Sequence, residues 1–438
     1  MTAYFRSEDA DKIRSCVDIV DVVKGYVSLK RGSGGDWWGR CPFHNEKTPS
    51  FHVRPDRGVF YCFGCGKGGN VFTFVMEIER VTFPEAVKIL AEKAGIELRE
   101  ETFAPGTART EREKIASAIQ FVTEFYHQQL VSSSHLPERQ QVMDYINSRG
   151  ISTPIIHQFH LGWSPLDSSL ILAAARQRNI PIPLLIQSGI LLRQRDDSLR
   201  DRFRGRLIFP IFNLLGKPIA LGGRTIEGLT SPEEKAKYIN SPENALYRKG
   251  DHLYGLHLTK DAIRSSGSVW LVEGYIDLLA MVEAGWNNTV ASLGTALTEQ
   301  QSRLLSRYAD RAIILYDSDS AGYNAAMRAA ERLIFAGLEV EMVALPEGND
   351  PDIIYRKHGK EGLEKLLSLK ESFVQFYLRI SRWNEQATTR EKIRSIKTLL
   401  ELISRIKDPL QQETLFQQLS QLTHFSMKAL VQSIEQIK

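Results

Sequence analysis

Cysteine is scarce in this sequence, and apolar runs long enough to cross a membrane are missing. Only four of the 438 residues are cysteines, and the longest apolar runs fall far short of the ~20 residues that span a bilayer. The first ten residues contain no apolar core, so we expect no secretory signal peptide. We therefore expect a cytoplasmic protein without a membrane segment, in which clustered cysteines bind metal instead of forming disulfides.

A large excess of charge of one sign is also lacking. The chain carries 56 basic and 52 acidic residues, for a net charge of +4. Because this excess is small, any surface that binds nucleic acid must be local. A hydrophobic content of 42% is sufficient for packed cores, and the length predicts two to four domains.

Two short motifs near the N-terminus contain three of the cysteines. Cys41-Pro-Phe-His44 and Cys62-Phe-Gly-Cys65 are separated by seventeen residues. Two such pairs supply the four ligands of a closed tetrahedral site, and soft thiolates favour zinc over magnesium. We expect one structural Zn²⁺ whose binding folds this region. The fourth cysteine, Cys16, lies on an apolar helical face and is expected in the core.

Basic and aromatic residues surround these motifs. Basic groups hold phosphates and flat rings stack on bases, so this mixture favours single-stranded nucleic acid, although part of the aromatic set is expected to fill a small core. The set comprises Trp37, Trp38, Arg40, Lys47, Arg54, Arg57, Phe60, Tyr61, Phe63 and Lys67.

Acidic residues follow three apolar runs in the second half of the chain. The runs Val269–Val272, Ala312–Tyr316 and Val340–Leu345 have the length and composition of buried parallel strands. Open α/β sheets place ligands at the carboxyl ends of such strands, and clustered carboxylates suit Mg²⁺ or Mn²⁺. The acids that follow the runs are Glu273, Asp277, Asp317, Asp319, Asp350 and Asp352.

These acidic motifs carry a family resemblance. Glu273-Gly-Tyr-Ile-Asp277 and Asp317-Ser-Asp-Ser-Ala-Gly322, with Ser292-Leu-Gly-Thr-Ala296 between them, resemble the Toprim signature. DnaG-type primases, type IA and type II topoisomerases and some nucleases share that signature.

The N-terminal region narrows the resemblance. The stretches Asp18–Val23, Cys41–Phe51, Tyr61–Gly69 and Phe83–Val87 resemble the zinc-binding domain of bacterial DnaG-type primases, over residues 5 to 98. Topoisomerase zinc ribbons differ because they use four cysteines. Trp37–Arg40, just before the first ligand, departs from the family pattern without touching the zinc ligands.

Between these regions lie basic residues at the boundaries of predicted strands and turns, where phosphate binding needs them. The stretches resemble basic motifs of the primase catalytic core. The resemblance implies that they hold template, primer or nucleoside triphosphate, and the candidates are Arg202, Arg206, Arg224, Lys237, Asn240 and Lys249.

The predicted architecture is an α+β multidomain protein. We expect a zinc-ribbon-like module over 1–100, a linker over 101–113, a basic mixed α/β part of an RNA polymerase core over 114–262, a Toprim α/β parallel sheet over 263–355 and a helical subdomain over 356–438. In the primase family a helicase-binding domain follows the core, and we expect that domain to be absent here.

The resemblance implies a bacterial DNA primase at the replication fork. It would copy single-stranded DNA into a short RNA primer from ribonucleoside triphosphates, with a DnaB-type replicative helicase as the family's partner and a monomeric core. Glu273, Asp317 and Asp319 would hold two catalytic Mg²⁺ or Mn²⁺ ions, assisted by the other three acids. Glu273 could instead act as a general base. Two alternatives remain open: a Toprim nuclease or topoisomerase, and a catalytically dead adaptor that binds single-stranded DNA.

Overall fold

The structure is a computed structural model that describes most of the chain. The described residues are 13–14, 16–32, 35–44, 46, 48–79, 81, 83–96, 111–132, 136–230, 236–294, 296–316, 320–381, 383 and 388–435. The chain divides into two compact units, Met1–Glu113 and Lys114–Lys438. None of the helices in the described ranges is both long and apolar enough to span a bilayer.

An antiparallel sheet forms the centre of the N-terminal unit. Its five strands in the described residues are paired in chain order, and they are β1 (Leu29–Arg31), β2 (Trp37–Gly39), β3 (Phe51–Arg54), β4 (Val59–Cys62) and β5 (Gly68–Asn70). The helices that share its apolar core are α1 (Ile19–Lys24), α2 (Val71–Glu79) and α3 (Phe83–Lys93).

Alternation along the strands explains which side of this sheet is buried. On β3 the side chains of Phe51 and Val53 are buried in the core, whereas those of the alternate residues His52 and Arg54 are only half-buried and point outward. Because side chains alternate across a strand, one face packs on the helices and the other faces solvent.

Cys16 does not lie in the core, and that prediction is wrong. The residue is exposed. It is helical, as are residues 13 and 14, but α1 starts anew at Ile19, where the Asp18 side chain accepts a hydrogen bond from the Val20 N–H (2.8 Å). The helical periodicity that placed Cys16 on the apolar face therefore does not continue through residues 17 and 18.

The C-terminal unit contains an antiparallel sheet followed by a parallel one. Its elements up to residue 266 are α4 (Glu111–Ser132), α5 (Pro137–Ser148), α6 (Thr153–Gln158), β6 (Gly162–Trp163), α7 (Ser169–Gln177), α8 (Ile182–Gln187), β7 (Leu191–Arg193), β8 (Leu199–Asp201), β9 (Arg206–Phe212), β10 (Pro218–Thr225), β11 (Tyr238–Asn240) and α9 (Leu256–Ser266). Within the described residues, β11, β10, β9 and β6 pair in that order into an antiparallel sheet, and β7 pairs with β8.

The remaining elements build the parallel sheet and a helical end. They are β12 (Ser268–Val272), α10 (Tyr275–Glu283), β13 (Thr289–Ala291), α11 (Glu299–Leu305), β14 (Arg311–Leu315), α12 (Ser320–Phe335), β15 (Glu339–Met342), α13 (Pro351–Leu367), β16 (Glu371–Ser372), α14 (Phe373–Ile380), α15 (Thr389–Ser404), α16 (Pro409–Thr423) and α17 (Met427–Glu435).

Strand direction in this second sheet matches the sequence prediction. The order is β13-β12-β14-β15-β16, and the first four strands are mutually parallel. The parallel arrangement predicted for the three apolar runs is thus confirmed. The last strand, β16, joins antiparallel, and it comes from beyond residue 355, where the sequence analysis ended the sheet.

The helical end packs directly on the parallel sheet. Apolar residues of α14 to α17 share one core with β14, β15 and α12. The Gln411 side-chain amide donates hydrogen bonds to the carbonyls of Ile334 (3.0 Å) and Leu338 (3.2 Å). Two predicted boundaries fall inside helices, because 355/356 lies within α13 and α4 begins at Glu111.

Candidate functional site

The four predicted zinc ligands converge in the N-terminal unit. The ligand atoms of Cys41, His44, Cys62 and Cys65 all lie within 4.8 Å of one another. The sulfur atoms of Cys41 and Cys65 are 3.8 Å apart, and Cys62 Sγ lies 3.7 Å from His44 Nδ1. A tetrahedral zinc ion with bonds of ~2.3 Å to sulfur and ~2.0 Å to nitrogen requires ligand separations of about 3.5–3.8 Å. The donors therefore fit a closed zinc site.

Backbone amides support the sulfur ligands. The Phe43 N–H donates to Cys41 Sγ (3.4 Å), and the Gly64 N–H donates to Cys62 Sγ (3.3 Å). A Cβ at position 64 would lie 2.4 Å from His44 Nε2. Only glycine leaves room there for the imidazole to approach the two sulfur atoms.

The two buried thiols differ in acidity. Burial raises the pKa of the Cys41 thiol. At Cys62 burial acts in the same direction, but hydrogen bonds from Ser50 and from the N–H groups of Cys65 and Gly64 outweigh it and hold its pKa below the ordinary value. A stabilised thiolate of this kind is a zinc ligand.

Glu46 orients the histidine ligand, and the sequence analysis did not identify it. Its carboxylate accepts hydrogen bonds from the Cys41 N–H (2.6 Å) and the Ser50 hydroxyl. Its Oε2 also lies 3.4 Å from His44 Nε2. Burial would raise the pKa of Glu46, but the bonds from Ser50 and Cys41 lower it overall. A carboxylate on the far nitrogen fixes the ring with Nδ1 towards the metal.

Aromatic rings cover the outward face of the antiparallel sheet in the N-terminal unit. Trp38, His52 and Tyr61 are cross-strand neighbours on β2, β3 and β4. The Trp38 and His52 rings stack with centroids 4.2 Å apart, and Phe63 lies 6.0 Å from Trp38. Phe63 is 65% exposed and Tyr61 44% exposed. Lys30, opposite Trp38, adds a positive charge. We call these five residues the ring row.

Other members of the basic and aromatic set have different positions. Phe60 is buried in the core, as the alternative reading of this set predicted. Arg40, Arg57 and Lys67 are exposed. Lys47 lies outside the described residues.

The carboxyl ends of three parallel strands meet at one edge of the sheet in the C-terminal unit. Val272 at the end of β12 is the cross-strand partner of Ala291 on β13 and Leu315 on β14. The next residue after each of these three strand ends therefore lies at the same edge of the sheet. These residues are Glu273, Ser292 and Tyr316. Burial raises the pKa of Tyr316, and the neighbouring Glu273 carboxylate raises it further.

A tight helix start follows Glu273. Gly274 is the N-cap of α10, and its N–H donates to Asp277 Oδ2 (3.1 Å). The Asp277 carboxylate therefore lies at the positive end of the helix dipole, one turn after Glu273. Burial raises the pKa of Tyr238. The positive charge of Arg224 lowers that pKa, and the negative charge of Asp277 raises it. Asp277 thus lies near the antiparallel sheet as well.

Asp317 and Asp319 lie outside the described residues. In the chain they come between Tyr316, directly after β14, and α12, which starts at Ser320. Their assignment as metal ligands stays a prediction.

Asp350 and Asp352 begin α13 with different contacts. Asp350 caps the helix by accepting from the Ile353 N–H (2.6 Å). Asp352 is 1% exposed and pairs with Arg149 Nη1 (2.5 Å) and Arg356 Nε (3.2 Å). Its carboxylate therefore joins α13 to the end of α5, and a catalytic role for Asp352 stays a prediction.

Arg206 and Lys237 form one arrangement. Arg206 is 2% exposed, and its Nη1 donates to the carbonyls of Ala236 (3.0 Å) and Lys237 (3.5 Å). The Lys237 side chain is exposed. Arg206 thus holds the backbone that presents Lys237, and a phosphate-binding role for either residue stays a prediction.

Arg224 lies between two tyrosine rings. Its Nη1 donates to the Tyr238 hydroxyl (2.6 Å), and its guanidinium lies 5.0 Å from the Tyr145 ring centroid and 5.2 Å from that of Tyr238. The Arg149 guanidinium lies 5.1 Å from the same Tyr145 ring centroid. These distances are typical of cation–π contacts, which connect Arg224 to the Arg149–Asp352 pair.

Asn240 reaches the edge of the parallel sheet. Its Oδ1 accepts from the Tyr275 hydroxyl (2.7 Å), and its Nδ2 donates to the Leu293 carbonyl (3.3 Å). Arg202 and Lys249 are half-buried. The structure therefore brings Asn240 to the residues that follow β12 and β13, whereas roles for Arg202 and Lys249 stay predictions.

The sequence analysis did not predict the roles of three residues that hold other site residues in place, and the reason differs for each. Glu46 lies two residues after His44, so its place inside the zinc motif could have indicated it. Tyr275 lies inside the Glu-Gly-Tyr-Ile-Asp motif, but its hydrogen bond crosses to another sheet. Arg149 has no local motif, since its partner Asp352 is 203 residues away.

Four family models match the chain in succession. Residues 5–104 match the CHC2 zinc finger, 125–260 the N-terminal domain of the DNA primase catalytic core, 270–354 the Toprim-like family and 386–427 the DnaB-helicase binding domain of primase. The zinc finger match agrees with zinc at the Cys41 cluster, and the Toprim match implies a divalent metal for catalysis.

The last of these matches corrects one prediction. We expected the helicase-binding domain to be absent, and that expectation is wrong because residues 386–427, a range that includes α15 and α16, match its model. The error has a physical cause: helical periodicity marks the buried face of a helix but does not distinguish a core helix from one that binds a partner.

Relatives and solved structures cover nearly all of the chain. A DNA primase of Halalkalibacterium halodurans is 36% identical over 428 residues, which are 97% of this chain and 70% of the relative. The Aquifex aeolicus primase structure, with zinc-binding and RNA polymerase domains, matches at a TM-score of 0.65 and 34% identity, covering 98% of this chain and all of that one. A DnaG primase catalytic domain bound to single-stranded DNA matches at 0.62 and 31% identity, covering 71% of this chain and 99% of that one.

The likeness to primases is continuous and is not confined to the two motif regions. It includes the basic antiparallel sheet, because residues 125–260 match the N-terminal domain of the DNA primase catalytic core. The predicted α+β multidomain fold is confirmed by the same structures. The chain therefore belongs to the DnaG-type family of bacterial DNA primases and is an RNA-polymerising enzyme of DNA replication.

Proposed function

We propose that this chain copies single-stranded DNA into a short RNA primer by two-metal nucleotidyl transfer, with release of pyrophosphate. One observation carries the proposal: Val272 and Leu315 are partners at the ends of adjacent parallel strands, and each strand end leads into an acidic motif. Glu273 follows the first strand, and Asp317 follows the second after Tyr316. The relative solved with single-stranded DNA supports the choice of template.

Glu273, Asp317 and Asp319 hold the divalent ions in this proposal, with Asp277, Asp350 and Asp352 in support. Mg²⁺ or Mn²⁺ bound there would activate the primer 3′-hydroxyl and neutralise charge that develops on the triphosphate. The half-buried position of Glu273 beside Tyr316 also suits the alternative role of general base. Asp277, already at the start of α10, orients the helix that follows Glu273.

Basic residues of the antiparallel sheet bind the triphosphate or the backbone of the template–primer duplex. Lys237 contributes the exposed ammonium, and Arg206 holds its backbone. Arg224 presents a guanidinium between two aromatic rings. Asn240, Arg202 and Lys249 complete the set that the sequence resemblance implied.

The ring row of the N-terminal unit binds template bases. Stacking of one base on an aromatic side chain contributes about 1–3 kcal/mol and tolerates any base. Phe63 and Tyr61 are the most exposed rings of the row, and Lys30 lies within reach of a phosphate beside them. This arrangement supports single-stranded DNA as the ligand.

A DnaB-type replicative helicase is the proposed protein partner. Residues 386–427 match the helicase-binding family model. Ile393 is 44% exposed and Leu410 is 79% exposed on these helices, so apolar side chains are available for docking. The proposed site of action is the bacterial replication fork in the cytoplasm, with a monomeric core.

The domain boundaries remain part of the proposal. The division at residues 113 and 114 supports a tether over 101–113 between the zinc module and the core, although α4 already begins at Glu111. The matched range 270–354 supports a Toprim domain over 263–355. A tether would set the effective concentration of the zinc module at the core.

The test is incorporation of labelled ribonucleotides on single-stranded DNA with Mg²⁺ or Mn²⁺. We compare the wild type with Glu273→Gln and Asp317→Ala, and use Glu347→Gln, an exposed acid after β15, as the matched control. Short RNA from the wild type and the control alone supports the proposal, and both acid variants should still bind DNA. Synthesis by Asp317→Ala at the wild-type rate would remove the metal assignment, and nicked plasmid without RNA would favour the nuclease alternative.

A further inference from the structure

Tyr275 lies between the antiparallel and the parallel sheet of the C-terminal unit. It is the first residue of α10, two positions after Glu273, and is 4% exposed. Its ring stacks on Phe209 of β9 with centroids 4.7 Å apart and an interplanar angle of 21°. Tyr254 meets it edge-on at 4.6 Å. The helix that begins beside Glu273 is therefore anchored in the antiparallel sheet.

The Tyr275 side chain lies along a single cross-strand row of that sheet. Phe209, Gly222 and Asn240 are partners on β9, β10 and β11. A Cβ at Gly222 would lie 2.4 Å from the Tyr275 hydroxyl oxygen, so any larger residue would displace the ring. The hydroxyl then donates to Asn240 Oδ1 (2.7 Å).

Asn240 extends this connection to a second loop at the same edge. Its Nδ2 donates to the Leu293 carbonyl (3.3 Å). Leu293 is a non-glycine residue with φ of 65°, a strained left-handed conformation that persists where surrounding contacts determine it. Leu293 directly follows Ser292, which is level with Glu273. One side chain of the basic sheet thus contacts the structures that follow β12 and β13.

The neighbouring positions on this sheet carry the proposed nucleotide contacts. Arg224 and Tyr238 are cross-strand partners two residues along β10 and β11 from Gly222 and Asn240, so all four lie on the same face. The Tyr238 ring centroid is 5.9 Å from that of Tyr275. The Tyr275–Asn240 hydrogen bond therefore lies between Arg224 on the antiparallel sheet and the edge of the parallel sheet where the acidic residue Glu273 lies, which we call the acidic edge.

We propose that Tyr275 is a positioning residue: through its hydroxyl and Asn240 it fixes the distance between the Glu273 edge and the part of the antiparallel sheet that carries Arg224. This inference rests on the two-metal function proposed above, because it concerns how a triphosphate held by one sheet meets metals held by the other. Misplacement of reacting groups by about 1 Å can lower a rate by ~10²-fold, whereas a single hydrogen bond adds little to folding stability.

Tyr275→Phe tests the proposal because it removes one oxygen and keeps the ring. We expect kcat for RNA synthesis to fall by about 10-fold, with KM for ribonucleotides changed by less than ~2-fold, since each sheet keeps its own ligand contacts. The thermal unfolding midpoint and DNA affinity should remain near those of the wild type.

Tyr254→Phe is the matched control. Tyr254 packs against Tyr275, is 1% exposed, and its hydroxyl has no hydrogen-bond partner among the described residues. This variant should retain the wild-type kcat. An equal loss of kcat in both variants would show that altered packing suffices, and it would overturn the proposal, as would a wild-type kcat for Tyr275→Phe.

A double-mutant cycle with Asn240→Ala tests the route. If the hydroxyl acts through Asn240, Tyr275→Phe should change kcat by less than about 2-fold in the Asn240→Ala background. Independent, multiplicative losses would overturn the route through Asn240. Glu273→Gln in the same assay distinguishes failure of the positioning role of Tyr275 from failure of the proposed metal site. If Glu273→Gln stays active, the metal assignment fails; if it is inactive while Tyr275→Phe equals the wild type, only the positioning role fails.

Discussion

The zinc site and the acidic edge of the parallel sheet assemble their side chains in opposite ways. All four predicted zinc ligands lie in the segment from Cys41 to Cys65, on one sheet and its turns, and their donor atoms are close enough to bind a single ion. The candidate acids come from distant parts of the chain, from Glu273 after β12 to Asp352 in α13, and Tyr275 beside Glu273 contacts a second sheet through Asn240. A local site can therefore be organised by its metal, whereas a site spread over the chain depends on packing.

The same difference appears in the supporting contacts. Glu46, which orients His44, is two residues away from it. Arg149, which pairs with Asp352, is 203 residues away from it. Loss of the metal should therefore unfold the zinc module, whereas loss of a single packing contact near the acidic edge should lower stability or activity only in part.

Cys62→Ser removes one of the four predicted zinc ligands and has the largest expected effect. Structural zinc contributes about 10–16 kcal/mol to folding in zinc-finger peptides, which exceeds the stability of a small module. We expect loss of zinc and of protease resistance in the N-terminal unit, measured by metal analysis and limited proteolysis. Cys16→Ser, at an exposed cysteine, is the control and should keep its zinc. A full complement of zinc in Cys62→Ser would contradict the ligand set.

Asp352→Asn removes the ion pair between Asp352 and Arg149, which lie 203 residues apart in the chain. Removal of one partner from a buried ion pair costs about 3–5 kcal/mol, and Asp352 faces two guanidinium groups. We expect a lower thermal unfolding midpoint for the C-terminal unit, measured by calorimetry. Asp350→Asn on the same helix should keep the midpoint, because asparagine caps helices as well as aspartate does. An unchanged midpoint for Asp352→Asn would refute the structural role of the pair.

Phe63→Ala sharpens the comparison within the N-terminal unit, because it removes a functional ring and leaves the zinc ligands in place. With about 1–3 kcal/mol per stacked base, we expect affinity for single-stranded DNA to fall by about 10-fold at constant salt, measured by fluorescence anisotropy. Phe83→Ala, at an exposed ring on α3, controls for loss of an exposed phenylalanine. If both variants bind equally well, the ring row is not the template surface.

Asp201→Asn has the smallest expected effect and concerns pH. Asp201 begins the basic motif and accepts hydrogen bonds from Tyr126 (2.7 Å) and Ser164 (2.8 Å), yet burial raises its pKa to about 6. A raised pKa means that the folded state binds the proton more tightly. The stabilisation is therefore complete below the ordinary pKa of about 3.9 and is lost as pH rises through about 6.

From pH 7.5 to pH 5 the wild type should gain about 1 kcal/mol relative to Asp201→Asn. The measurement is the unfolding midpoint of both proteins across this range. Asp197→Asn, which removes an exposed carboxylate from the same hairpin, should follow the pH profile of the wild type. Parallel profiles for wild type and Asp201→Asn would refute the prediction.

The sequence by itself determined the parts whose physics is local. The spacing of Cys41, His44, Cys62 and Cys65 specified a zinc site, since four soft ligands so close in the chain have few other uses. Apolar runs ending in acid specified parallel strands with Glu273 at a carboxyl end, because strand direction follows from burial on both faces.

Only the tertiary structure decided which partner each polar group meets. It turned Arg206 inward to the Lys237 backbone, paired Asp352 with Arg149 and placed Asn240 between Tyr275 and Leu293. It also exposed Cys16, against expectation. Periodicity specifies which face of an element is buried, but the identity of the element packed against that face depends on the folding of distant segments.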